Sequence, residues 1–292
     1  MSTELTELSV TGHEGKSLAE LMGVSVAAPS GPSIARLNLV QSPMMGEVEV
    51  NGKKLRTEVI GVGAFRITMG DDTYYANSVK LRVFTQRQQW QRWNADTKEM
   101  EKSVLANSIN SDLADSVGGF NLGRPSGYIE DWNALPDKTK DIIRSVKRVK
   151  VVMGVLTVDN PMDDMGEPVV VELKDMPVIF DVKNRDSLKS LDASLGLIHR
   201  KNLLPVTSNL HIEGVVGVLP NGNQYAFFKS SVANQIDISD ADSQTLQNFL
   251  ELISYNNTKI MDLNRERSAS GMSKEDADLV GSIIDVNDEV PF

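Results

Sequence analysis

Between Arg82 and Trp93 the chain reads Arg-Val-Phe-Thr-Gln-Arg-Gln-Gln-Trp-Gln-Arg-Trp, which interleaves Arg82, Arg87 and Arg92 with Phe84, Trp90 and Trp93. Guanidinium groups neutralise phosphates and flat rings stack on bases, each stack contributing roughly 1 to 3 kcal/mol, so this mixture suits an unpaired nucleic-acid strand. In an extended strand, side chains alternate between faces. Arg82, Phe84, Gln86, Gln88, Trp90 and Arg92 would then share one face, and Val83, Thr85, Arg87, Gln89, Gln91 and Trp93 the other. Residues of the same types lie nearby. Lys53, Lys54, Tyr74 and Tyr75 precede the segment, Arg124 and Tyr128 follow it in a Gly-Arg-Pro-Ser-Gly-Tyr loop, and Lys147 and Arg148 extend a backbone-tracking path. Residues 36–93 hold nine basic and five acidic side chains, and nine of the sixteen aromatics fall between Phe65 and Trp132. The competing reading of each residue is structural: aromatics fill strands, and lysines guard strand edges.

Other chemistries find little support. There is no cysteine, which excludes disulfides, thiolate metal sites and cysteine nucleophiles and fits a reducing compartment. His13, His199 and His211 have no paired metal spacing, and no Gly-x-Ser-x-Gly elbow occurs. The loop at Gly123 lacks the Gly-Lys-Ser/Thr ending of a phosphate loop, and Asp159, Asp163 and Asp164 lack the glycine and terminal glutamate of a calcium loop. No catalytic residue, metal or cofactor is expected, and the chain is not read as an enzyme.

The elements that must position these residues are mostly strands. Three regions are expected: a flexible arm over 1–33 with one helical turn near 17–22, a β-rich core over 34–272, and an acidic tail over 273–292. The pair Asn51-Gly52 between two alternating runs predicts a hairpin over 46–60. A second hairpin spans 64–76, a strand starts at Val79, and strands follow over 146–158, 168–173, 177–182, 210–219 and 223–228. Residues 94–137 read as a long excursion from the sheet. Helices are expected over 137–144, over 185–201 with Leu188, Leu191, Leu195 and Ile198 on one face, and over 240–265. The fold class is therefore α+β and β-rich, with a meander of antiparallel strands.

The last twenty residues, Ser273 to Phe292, carry six acids and one lysine, about half of the formal net charge of -10. Their ending, Asn-Asp-Glu-Val-Pro-Phe, resembles the acidic tip of bacterial single-stranded DNA-binding proteins, and phage replication proteins of this kind also close an acidic tail on an aromatic residue. The resemblance covers about the last eight residues. It implies an OB-like or related partly closed barrel, coating of single-stranded DNA in replication, recombination or repair, and recruitment of partner proteins by Asp285, Asp288, Glu289, Val290, Pro291 and Phe292. The length favours a phage-encoded version. With no secretory pattern at the N-terminus and no apolar run near the roughly 20 residues of a membrane span, a cytoplasmic location, the host's for a phage protein, and no membrane contact are expected. Self-association is left open. Two other classes also remain: a replisome or virion interaction protein that does not bind DNA, and a metal-dependent nucleic-acid-processing enzyme.

Overall fold

The computed structural model describes residues 34–50, 53–126 and 129–271. The expected arm and its helical turn, Tyr128, and the tail with its six partner-binding residues lie outside the described residues.

Eleven strands and three α-helices follow one another: β1 Ala35–Leu39, β2 Met44–Val50, β3 Lys53–Ile60, β4 Phe65–Met69, β5 Asp72–Ala76, β6 Ser78–Asn94, β7 Glu99–Lys102, α1 Asp137–Ser145, β8 Lys147–Val158, β9 Leu173–Val182, α2 Arg185–Arg200, β10 Ser208–Val218, β11 Gln224–Gln235 and α3 Asp240–Gly271. The expected β-rich α+β class holds. The hairpin forms as its Asn-Gly pair predicts, with Val50 opposite Lys53, and β2 and β3 make a small sheet of their own.

The other nine strands form one sheet in the order β11-β10-β6-β8-β9-β1-β4-β5, with β7 also on β6. Two features differ from expectation. The sheet is mixed, because β1 joins β9 in parallel while the remaining pairs are antiparallel. Its ladder is also open, with no pairing between β5 and β11 among the described residues, so no closed barrel is present. The sheet nevertheless curls. The chain passes from β5, at one edge, straight into β6 through Asn77 alone, although five ladder steps separate the two strands. One linking residue spans only about 7 Å, which brings the far edge round to β6. Across the curl, Phe228 of β11 meets Phe180 of β9 at 5.3 Å and Phe65 of β4 at 6.5 Å.

Each face of the sheet carries one helix. Val152, Leu156, Phe180, Leu37, Phe65, Leu81 and Leu210 form the main core, on which α2 places Leu191, Leu195 and Ile198. The three- and four-residue spacing of those positions gives the helix one apolar side. Asn184 starts α2 by accepting the N–H groups of Asp186 and Ser187 at 2.8 and 3.2 Å. On the opposite face Val149, Val151 and Met153 pack with Phe249 and Ile253 of α3. Strand β8 is thus buried on both sides from Val149 to Leu156, which is why residues 151–156 carry no polar side chain and do not alternate.

Helix α2 also covers a strand edge. The outward N–H groups of Ala226, Phe228 and Ser230 on β11 donate to Gln41 Oε1, Ser187 Oγ and Ser190 Oγ at 3.3, 3.0 and 2.8 Å. In return Ser194 Oγ donates to the Ser230 carbonyl at 2.9 Å. Backbone groups that a lone edge strand would leave to water are paired with side chains.

Three elements depart from the sequence-based boundaries. The strand expected over 168–173 is only an isolated bridge from Pro168 to Met162, with β9 beginning at Leu173. Strand β7 arises inside the expected excursion. Helix α3 runs 32 residues, to Gly271, because its last turns grip the 115–119 loop: Asn264 Nδ2 donates to the carbonyls of Asp115 and Gly119, and Ser268 Oγ to that of Gly118.

Candidate nucleic-acid interface

Strand β6, 17 residues long, carries most of the expected site, and its faces are not those of an unbroken strand. Its register against β8 shifts between Val83 and Thr85, with Val83 opposite Gly154 and Thr85 opposite Met153. This bulge fits because position 154 has no side chain: a Cβ there would lie 2.1 Å from the Arg82 carbonyl oxygen. Directly paired residues share a face, so the bulge moves the even-numbered positions from one side to the other. Arg82 and Phe84 face α3, followed on that side by Thr85, Arg87, Gln89, Gln91 and Trp93. Gln86, Gln88, Trp90 and Arg92 turn to the opposite side. The expected grouping of Arg82 and Phe84 with Trp90 and Arg92 is therefore corrected.

Several of the expected contact residues are engaged inside the protein. Arg82, 7% exposed, sends two N–H groups to the Asp242 carboxylate of α3 at 2.6 and 3.1 Å. Burial alone would raise the Asp242 carboxyl, but hydrogen bonds from the Ser239 N–H, the Arg82 guanidinium and the Ser239 hydroxyl outweigh it and hold the group below the ordinary carboxylate range. Phe84 packs edge-on to Phe249 at 6.1 Å. Trp90, 7% exposed, sits among Leu113, Leu122 and Val146. The Arg124 guanidinium lies over the Trp90 ring at 4.8 Å and donates to the Ile143 carbonyl; its burial lowers its pKa. Arg92 donates to Glu101 at 2.6 Å and to the Leu122 carbonyl at 3.1 Å. Arg87 bonds Thr85 Oγ1 and the Gln86 carbonyl, both at 2.8 Å. Tyr75 is buried with Ile60 and Ala64, and Tyr74 packs on the main core.

Other expected residues face solvent. Lys53 and Lys54 stand on the separate β2–β3 hairpin, Lys54 in an exposed ion pair with Glu47 at 3.3 Å. Lys147 and Arg148 are exposed at the start of β8, with the Lys147 ammonium against the Arg144 carbonyl. Lys150 of the same basic run is buried and pairs with Asp192 of α2. Trp93 is 57% exposed.

Trp93 lies opposite Met100 of β7, and two positions along the same face Gln91 lies opposite Lys102. Gln91 is also opposite Lys147 on the other side. The far half of β6 therefore presents, on the α3 face, one open indole ring, an exposed Met100 and two lysines on flanking strands. Two more rings are open near this end: Phe120, 59% exposed, and Trp132, 37% exposed, with the Arg144 guanidinium 5.6 Å from the Trp132 ring. Lys102 was not among the residues expected from sequence, since Glu-Met-Glu-Lys has no aromatic interleaving to mark it. Phe120 is displayed by a run of left-handed backbone, with φ of 52° at Asn121, 58° at Leu122 and 78° at Gly123. The buried Asp115 carboxylate holds that turn by accepting the N–H groups of Val117, Gly119 and Leu122 at 3.0, 3.0 and 2.7 Å. A non-glycine pair in this region is costly and persists where surrounding bonds enforce it.

Among the described residues no group of three or more His, Cys, Asp or Glu side chains is placed to hold a metal ion, and no helix is long and apolar enough to cross a membrane. Compared with known proteins, the chain matches no family model, no curated protein and no solved structure.

Proposed function

We propose that the protein binds single-stranded DNA without sequence preference, coating it during replication, recombination or repair, and that its acidic tail recruits partner proteins. The observation that carries this reading is Trp93: a ring 57% exposed at the end of a long strand, on a face shared with Lys102 and Lys147. A large ring left in water, on a face that carries lysines on both flanking strands, is unfavourable for the free protein and suited to a base with its phosphates. The curled β-rich sheet is compatible with the OB-like framework that the tail resemblance implies. In this proposal Trp93 and Lys147 touch the strand, Arg148, opposite Trp90, lies on the other face, and Arg82, Phe84, Trp90 and Arg124 build the surface.

Titration of the full chain with oligo-dT, followed by tryptophan fluorescence, tests the proposal. Strong, salt-sensitive quenching is expected, and it should fall in Trp93→Phe, with Trp132 the other exposed indole and Trp90 buried. Removal of residues 273–292 should tighten DNA binding and abolish recruitment. If neither form binds single strands at low salt, the proposal is wrong and a purely protein-docking role takes its place.

A further inference from the structure

Beyond Trp93, the α3 face carries a further group of cations. Arg36 of β1 is opposite Thr68 of β4, and Arg66 of β4 is opposite Asn38, so the two guanidiniums stand diagonally across one strand pair. Such neighbours on one face are separated by about 7 to 8 Å. Arg36 is level with Ile179 of β9, a residue of the α3-side core, which fixes the face. Two and four residues beyond Ile179 on that strand side come Asp181 and, just past the end of β9, Lys183. From β6, Gln91 Nε2 reaches Asp181 at 3.4 Å, although β8 lies between their strands. That contact bridges β8 and brings Lys102, paired with Gln91, toward the β9 and β1 side.

The electrostatics agree with that geometry. Burial lowers the Lys102 pKa; Asp181 pulls it back up, and Arg36 and Lys183 push it further down. Arg36, Arg66 and Lys183 are exposed, and none of the four side chains makes a hydrogen bond or ion pair among the described residues. Three cations, Lys102, Arg36 and Lys183, share the neighbourhood of the Asp181 carboxylate, and Arg66 stands diagonally from Arg36. Holding like charges together around the partly buried Lys102 opposes folding, and an anionic partner offsets it.

Resting on the proposed DNA binding, we infer that this face, from Trp93 over Lys102 to Arg36, Lys183 and Arg66, is the track on which the phosphodiester backbone of the single strand lies. The occupant is a flexible polyanion rather than one phosphate, because the cations are spread over β7, β9, β1 and β4 instead of converging on a point. Cations spread over several strands of a twisted sheet suit a chain that can follow the twist better than a stiff duplex.

The experiment compares the unaltered full chain with the triple variant Arg36→Ala, Arg66→Ala, Lys183→Ala, and with Lys189→Ala/Lys201→Ala as a control. Labelled oligo-dT is titrated against each across a salt series, and thermal melting verifies folding. Each phosphate contact on a single strand contributes about 0.7 to the slope of log affinity against log salt, so the triple variant should lower the slope by about 2. The control should retain it. An unchanged slope in a triple variant that is folded, while the unaltered chain binds, overturns the track and leaves the proposed function standing. Equal losses for duplex DNA of the same length also overturn it. Absence of binding by the unaltered chain removes the proposed function itself.

Discussion

Replacing Asp242 by Asn would remove the charge that holds Arg82. The pair joins the start of α3 to the proximal half of β6 by two hydrogen bonds, at 2.6 and 3.1 Å, with both side chains under a tenth exposed. Deleting one member of a buried pair leaves the other charge without compensation and costs about 3 to 5 kcal/mol. Asp242 also accepts the Ser239 N–H at 2.8 Å and its hydroxyl at 3.0 Å, half of a capping box. Asn retains an oxygen for the cap, so Asp242→Asn should cost about 3 kcal/mol, and Asp242→Ala about 1 kcal/mol more through the lost cap. Urea unfolding followed by circular dichroism would read both. Because the Asp242 carboxyl titrates below its unfolded value, the native state binds fewer protons in that window. The pair's contribution is complete above about pH 4 and is lost as the pH falls through the still lower folded value. Asp242→Asn should therefore flatten the acid side of the stability profile. A midpoint shift equivalent to less than about 0.5 kcal/mol would refute this account, since removal of a buried partner cannot be that mild. So would an apolar double variant, Arg82→Met with Asp242→Leu, that is as unstable as the single one.

Other outcomes are as definite. Trp93→Ala should weaken oligo-dT binding about tenfold to a hundredfold, the loss of one stacked base, with melting temperature unchanged. Gly154→Ala places a Cβ 2.1 Å from the Arg82 carbonyl and should cost about 3 kcal/mol by chemical denaturation, because the bulge leaves the backbone no room to move aside. Ser190→Ala takes the acceptor from the Ser230 N–H and should lower stability by about 1 kcal/mol in the same assay.

What the sequence revealed was local. Asn51-Gly52 specifies a two-residue hairpin, and the spacing of Leu191, Leu195 and Ile198 marks a helix side, because each signal lies within a few residues. The bulge at Phe84 could not be read this way. It depends on Gly154, some seventy positions away, and it reverses which β6 side chains share a face. Trp90 has the composition of a stacking residue, but the 103–123 segment folds over it and makes it core. Arg82 looks like a phosphate ligand until α3 arrives with Asp242. The cation track had a faint local mark, Arg36 and Arg66 each alternating with apolar neighbours. Its assembly required the parallel β1–β9 pairing, which no local pattern encodes.

The serine row of α2 bears on how molecules of this protein could line up along a strand. An edge whose outward N–H groups at Ala226, Phe228 and Ser230 are already taken cannot accept a strand from a neighbouring copy. Side-by-side growth of one continuous sheet is closed off on the β11 side. Successive copies would touch through side chains, so any cooperativity along DNA would be tunable by surface substitutions and would not lock into a filament of paired backbones.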